Sequence, residues 1–200
     1  VAYYSIYGRD GFVSRTDDCV IFGAGAIGLF AATICKAAGA KVIVVEPIEF
    51  RRKMAEEIVG VDLTIDPFNE DVEKVVFANT DGQGASLIVE CTGSDAGVST
   101  TVDIAKAHGR IRFIGHSIGR KIPIEIGKAI WKGLNLQGSA GQPWFFTKTI
   151  KFMSRVKDEI DFTKFITGYY KLADIQKAFD MAIEHKDKAV KVMITMNEES

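Results

Sequence analysis

The run Asp18-Cys-Val-Ile-Phe22 passes without a spacer into Gly23-Ala24-Gly25-Ala26-Ile27-Gly28, and from there into Leu29-Phe-Ala-Ala-Thr-Ile-Cys35. A short apolar, β-branched run reads as a buried strand. Three glycines within six residues supply a turn too tight for side chains. The apolar stretch Ala26 to Ala38, closed by Gly39, reads as a helix with its C-cap. A strand this apolar needs cover on both faces, which confines the chain to a parallel sheet wrapped by helices.

The rest of the chain repeats the pattern. Cys19 to Phe22, Lys41 to Val45, Leu63 to Ile65, Ser86 to Glu90, Arg110 to Ile114 and Asn135 to Gly138 are six candidate strands. Between them lie Glu49 to Val59, closed by Gly60, and Asp95 to Ala107, closed by Gly109, with Asp71 to Phe77, Glu125 to Trp131 and Trp144 to Val156 as further helices. The expected fold is α/β: a doubly wound, six-stranded parallel sheet of the Rossmann kind over residues 1–160. From Asp161 the pattern changes to a strand (Phe165 to Tyr170), a helix (Leu172 to Glu184) and a last strand (Val190 to Met196), so residues 161–200 form a separate helix-strand segment. Val1 to Tyr7 is an aromatic stretch expected to be half exposed, as at the cut end of a longer chain.

The glycine pattern stands where G-x-G-x-x-G carries chemistry, after a strand and opening a helix. Gly23 permits the turn, Gly25 lets a pyrophosphate approach the backbone, and Gly28 lets the helix pack on the sheet. The helix start at Ala26, Ile27 and Gly28 offers unpaired N–H groups and the positive end of its dipole to phosphate. Glu46 stands 18 positions after Gly28, at the end of the second strand, near the ~20-residue spacing of the acid that binds an adenosine ribose. A carboxylate there disfavours a 2′-phosphate, so the expected cofactor is NAD rather than NADP. Arg51 and Arg52 lie close enough in sequence to weaken that preference. Arg51 is either packed on the adenine face or exposed on its helix.

These residues resemble the cofactor domain of the medium-chain dehydrogenase/reductase superfamily, the zinc-dependent alcohol, polyol and threonine dehydrogenases. The resemblance runs through Asp17 to Leu29, Glu46-Pro-Ile-Glu-Phe-Arg-Arg52, Val89-Glu-Cys-Thr-Gly93 and Gly109-Arg-Ile-Arg-Phe-Ile-Gly115, and closes at Phe162 to Met196. It implies that Cys91, Thr92, Ile114, Gly115 and Ser139 line the nicotinamide side of the site. Cys91 is equally readable as strand-end packing. It also implies an intact enzyme that oxidises a secondary alcohol or polyol with NAD. The Gly-His-Glu element, the early cysteine ligand and the four-cysteine cluster of that family are absent, so the catalytic half and its zinc are expected outside this chain, which is expected to be inactive alone.

No catalytic or metal-binding residue is therefore assigned here. His108 and His185 read as surface residues, while His116, next to the nicotinamide side, is open to a proton relay or to a surface role. Cys19, Cys35 and Cys91 are far apart, odd in number and in apolar surroundings, which points to reduced thiols and a cytoplasmic location. With 25 basic and 26 acidic residues and no long apolar run, neither nucleic acid nor a membrane is an expected partner. The resemblance implies a homodimer through the edge strand Asn135 to Gly138, with Ile122, Ile124, Ile126, Ile130 and Trp131 around it. The alternatives are a stand-alone NAD-sensing or interaction domain and, from the glycine turn alone, a methyltransferase.

Overall fold

The computed structural model describes residues 1–8, 11–116, 118–141 and 144–196. Six parallel strands, β1 (Asp18–Phe22), β2 (Lys41–Val45), β3 (Leu63–Ile65), β4 (Ala85–Glu90), β5 (Ala105–Phe113) and β6 (Asn135–Gly138), lie in the order β3-β2-β1-β4-β5-β6. The order reverses between β1 and β4, which pair from Cys19–Leu87 to Phe22–Glu90. The connections on either side of such a reversal go to opposite faces and leave a crevice at the strands' carboxyl ends. This is the Rossmann topology expected from the alternation of runs.

Strand alternation divides the core in two. Cys19, Ile21, Val42, Val44, Leu87 and Val89 pack on one face against α1 (Ala2–Tyr7) and α2 (Ala26–Ala37). Val20, Phe22, Ile43, Val45, Ile88 and Ile111 pack on the other with residues of α4 (Val72–Ala78), α5 (Asp95–Ile104) and α6 (Ile126–Trp131). Both faces of the central strands are thus removed from water, worth about 1.5–3 kcal/mol for each large aliphatic side chain. Helix α3 (Glu49–Met54) follows β2 and continues through a π-helical turn, Ala55–Val59, to Gly60 at φ +70°.

Two expectations need correction. Val1 to Tyr7 is half exposed at Val1 and its tyrosines, as expected, but it is no tail: α1 buries Ala2, Ser5 and Ile6, and Tyr3 lies 5.4 Å from the Phe152 ring of α7 (Phe146–Val156). The helix expected to reach Ala107 stops at Ile104, and Gly109 is not its cap. The reason is Lys132, whose Nζ donates to the carbonyls of Val102 (3.0 Å), Asp103 (2.7 Å) and Ala105 (2.8 Å) and so satisfies the helix end without a left-handed glycine. The positive φ falls instead on His108 (+60°), whose N–H donates to Lys132 O at 2.7 Å.

Beyond the main sheet, β7 (Ile166–Lys171) and β8 (Lys191–Thr195) form a separate parallel pair joined through α8 (Ile175–Glu184). Phe165 anchors this segment, buried and edge-on to Phe30 of α2 at 5.3 Å, while Phe162 stacks on the same ring at 5.2 Å. Leu172, Ile175, Phe179 and Ile183 are exposed along it. Cys19 and Cys35 are buried free thiols and Cys91 a half-buried one. A hydrogen bond with Cys35, then burial, pushes the Cys19 thiol up, and burial does the same to Cys91, which favours the protonated, less reactive form of these two. Among the described residues, no helix is long and apolar enough to cross a membrane.

Replacing Lys132 with Met keeps its aliphatic stem but orphans three helix-end carbonyls. It is expected to lower stability by about 1–3 kcal/mol in urea unfolding. An unchanged midpoint would show that the lysine does not cap α5.

Candidate functional site

The glycine turn sits where the crevice opens. Gly23 has φ +90°, and its N–H donates to Val45 O at 2.8 Å, tying the turn to the end of β2. A Cβ on Gly28 would stand 1.8 Å from Gly23 O, so only glycine lets α2 begin this close to the turn. Gly25 is different: it caps α2 in extended conformation, makes no side-chain cap bond, and among the described residues beyond its chain neighbours only Arg51 Nη1, at 3.9 Å, comes near its missing Cβ. Ala26 is half-buried and Ile27 exposed, so the first turn of α2 faces open space.

Glu46 is the residue after β2 and is only 4% exposed. Its Oε2 accepts from Ala24 N–H at 2.7 Å and its Oε1 from Ile48 N–H at 3.0 Å. The acid found by spacing therefore also braces the glycine turn. Two of a carboxylate's roughly four acceptor positions are used this way, leaving others for hydroxyl donors. Arg51 is not an exposed helical arginine. Its Nη2 donates to Ala189 O at 2.8 Å, and its buried Nε has no partner among the described residues. Arg52 is consumed locally, by Glu46 O and Pro47 O at 2.8 Å each and by Asp66 at 3.2 Å.

The remaining candidates line the ends of β4, β5 and β6. Cys91 N–H donates to Phe22 O at 3.0 Å, and Ile114 and Gly115 N–H groups donate to Glu90 O at 2.8 and 3.0 Å. Thr92 is exposed and its Cγ2 would be 2.9 Å from a Cβ on Gly23, so the loop after β4 rests on the glycine turn. Ser139, 6% exposed, donates its N–H to Phe113 O at 2.8 Å, and its buried Oγ is without a partner among the described residues. His108, His116 and His185 are all exposed, and His116 Nδ1 lies 3.1 Å from Ile114 O in its own loop. Among the described residues, no group of three or more His, Cys, Asp or Glu comes together to hold a metal.

Two features escaped the sequence. Glu90, the fully buried last residue of β4, gathers the Thr92 and Gly93 N–H groups. Lys191 lines a largely apolar cavity of about 510 Å³ that reaches the site at Ala26 and Ile27 and is otherwise walled by residues such as Phe30, Phe152 and Phe162. Neither stands at a motif spacing, and only folding brings them to the crevice.

A glycine turn at the switch point of a doubly wound sheet, with an acid ending the second strand, defines a Rossmann domain of the dinucleotide-binding class. The chain belongs to the zinc-binding dehydrogenase family, whose model matches residues 26–158, within the medium-chain dehydrogenase/reductase superfamily. It is 34% identical over 179 residues to L-threonine 3-dehydrogenase of Pyrococcus furiosus, covering 88% of this chain and 51% of that one. In structure it is similar to an alcohol dehydrogenase from Thermotoga maritima (TM-score 0.86, 27% identity, 96% of this chain and 53% of that one). It also shares its fold with a short chain alcohol dehydrogenase from Escherichia coli solved with NADH (TM-score 0.83, 24% identity, 92% and 53%). The chain spans about half the length of the curated relatives it matches.

The second and third glycines of the turn are expected to separate under mutation. Gly28→Ala meets backbone at 1.8 Å and should cost about 3 kcal/mol or more. Gly25→Ala, at an ordinary φ of −71° with nothing closer than 3.9 Å, should leave thermal stability unchanged or raise it by up to about 1 kcal/mol. Equal melting shifts for the two variants would refute this reading of the turn.

Proposed function

We propose that this chain is the NAD(H)-binding part of a zinc-dependent medium-chain alcohol or polyol dehydrogenase whose intact form moves hydride between a small secondary alcohol and nicotinamide. The observation that carries the cofactor assignment is the Glu46 carboxylate at the end of β2, bonded to the glycine turn at Ala24 N–H. It sets an anion where the adenosine ribose would lie, suited to accept from two hydroxyls and hostile to a 2′-phosphate. The solved Escherichia coli relative with NADH and the threonine dehydrogenase of Pyrococcus furiosus agree with this reading of cofactor and substrate class.

The residues fit the group. The open space at Gly25 admits a pyrophosphate, the N–H groups of Ala26, Ile27 and Gly28 face it, and Arg51 supplies a cation beside Gly25. Lys191 lines the same cavity as Ala26 and Ile27. Cys91, Thr92, Ile114, Gly115 and Ser139 wall the nicotinamide half, with the unpartnered Ser139 Oγ suited to bond a carboxamide. When bound, NAD supplies the hydride acceptor, and this domain orients it. Among the described residues no ligand set fits zinc. The chain by itself is then inactive on alcohols.

Residues 1–160 act in this reading as the cofactor domain, and residues 161–200 return to the catalytic domain, consistent with the exposed stripe Leu172, Ile175, Phe179 and Ile183. The reduced thiols favour the cytoplasm. A homodimer through β6 is the proposed assembly, isologous and continuous across the sheet edge. The exposure of Ile126, Ile130, Trp131 and Leu136 supports it. Ile122 and Ile124 are half-buried, Ile124 against the chain's own core, and contribute less than the sequence pattern implies.

Calorimetric titration is expected to show NADH binding at least about tenfold more tightly than NADPH, with Glu46→Ala costing NADH about 1–3 kcal/mol. Equal affinities for the two cofactors would sink the ribose assignment. Sedimentation should show a dimer that Leu136→Pro converts to monomer, since proline removes a strand donor. A stable monomer of the unaltered chain at tens of micromolar would eliminate that interface.

A further inference from the structure

We infer that Glu90 is the positioning residue of the nicotinamide half of the crevice: its buried carboxylate fixes the loop after β4 against the loop after β5. The inference rests on the cofactor reading above and deepens it, assigning a role to a side chain that need not touch the ligand.

Alternation along β4 puts Glu90 on the same face as Ile88, among apolar neighbours, and it is 0% exposed. A carboxylate there is costly unless its charge is met. Among the described residues it makes no ion pair, and it is satisfied by hydrogen bonds alone. Oε1 accepts from Thr92 N–H at 2.8 Å, from the Thr92 hydroxyl, and from Gly93 N–H at 3.1 Å, while Oε2 accepts from Gly93 N–H at 3.0 Å. An ionised carboxylate is acceptor-only, and charge-assisted bonds are the strong ones. An amide of the same length could keep its oxygen at the Oε1 position but would turn its NH₂ toward Gly93 N–H, which Oε2 accepts at 3.0 Å.

The bonds extend outward in two directions. Thr92 Oγ1 lies 2.8 Å from Ser94 Oγ, which caps α5 by accepting from Gly97 N–H at 3.1 Å. Gly97 itself leaves room for the carboxylate, since its Cβ would lie 3.2 Å from Glu90 Oε1. In the other direction, Glu90 O holds Ile114 and Gly115. Gly93, at φ +63°, approaches so closely that a Cβ on Gly115 would lie 2.2 Å from Gly93 N. The two loops therefore meet backbone to backbone, at a separation set from one residue by its carbonyl and its carboxylate together. The adenosine half is built on β1 and β2 and meets this network only where the Thr92 side chain rests on Gly23, a contact through its methyl group and not through the bonds to Glu90.

That separation gives the test. NADH and ADP-ribose, which lacks the nicotinamide, are titrated calorimetrically into the unaltered chain and into Glu90→Gln. The variant should keep ADP-ribose affinity within about twofold while NADH affinity falls about tenfold, so the preference for NADH over ADP-ribose collapses. Retained ADP-ribose binding doubles as the evidence of folding. A preference equal to that of the unaltered chain overturns the inference, whether both affinities stay or both fall together. If Glu90→Gln does not fold, Thr92→Val, which keeps the branched shape and removes one donor to the carboxylate, must show the same selective loss, and an unselective change counts against the inference. Failure of the unaltered chain to bind either nucleotide defeats the cofactor reading itself, a result distinct from an unchanged preference.

Discussion

The carboxyl end of the sheet depends on the absence of one methyl group at Gly28. Because the helix can press against Gly23 O there, α2 starts directly above the turn, and Leu29 N–H takes Gly25 O as the first intrahelical bond. The turn is then stitched to both neighbours, to β2 through Val45 O and Glu46, and to the loop after β4 through Thr92. Backbone groups that side chains would normally separate are brought within contact distance. The N-terminal end of α2, with its partial positive charge, is thereby aimed into the crevice rather than along the surface.

Much of this was legible in the sequence, because buried parallel strands write continuous apolar runs and their turns write glycines. The runs Lys41–Val45, Leu63–Ile65 and Asn135–Gly138 match the strands residue for residue. The failures have a common cause: a distant side chain did work that local sequence normally does. Lys132 capped α5, so Gly109 did not have to. Phe152 and α2 covered α1, so an aromatic terminus became part of the core. Arg51 found Ala189 O, 138 positions away in the chain, which no spacing rule could anticipate.

Glu46 and Glu90 show why one buried acid was visible and the other was not. Glu46 directly follows β2 and Glu90 ends β4, and both spend oxygens on N–H groups of the following backbone. Glu46 stands at a fixed distance from a glycine pattern, so its spacing carries information. Glu90 closes an apolar run whose neighbours invite no polar reading, and its meaning comes from where Thr92, Gly93 and Gly115 converge in space. The two acids brace opposite sides of the reversal, one beneath the glycine turn and one beneath the loop that rests on it. A crevice lined by backbone has no bulky side chains to hold its width, so buried carboxylates that collect N–H groups are an economical way to keep it open and fixed.

The adjacent arginines complete the electrostatics. Arg52 has its charge met by Asp66 and its donors met by Glu46 O and Pro47 O. Arg51, one residue earlier, points the other way, toward Gly25 and Ala189. Its single carbonyl partner is neutral, and its Nε is buried without one among the described residues. A guanidinium so placed has no carboxylate partner among the described residues. Two identical side chains in sequence are thus divided by helix geometry into one whose donors are met beside β2 and one that lies beside the glycine turn. Because Arg51 also holds the strand-linking loop at Ala189, the positive charge at the turn is physically tied to the β7–β8 segment, which makes the carboxyl-terminal residues part of the crevice's electrostatics rather than an appendage to it.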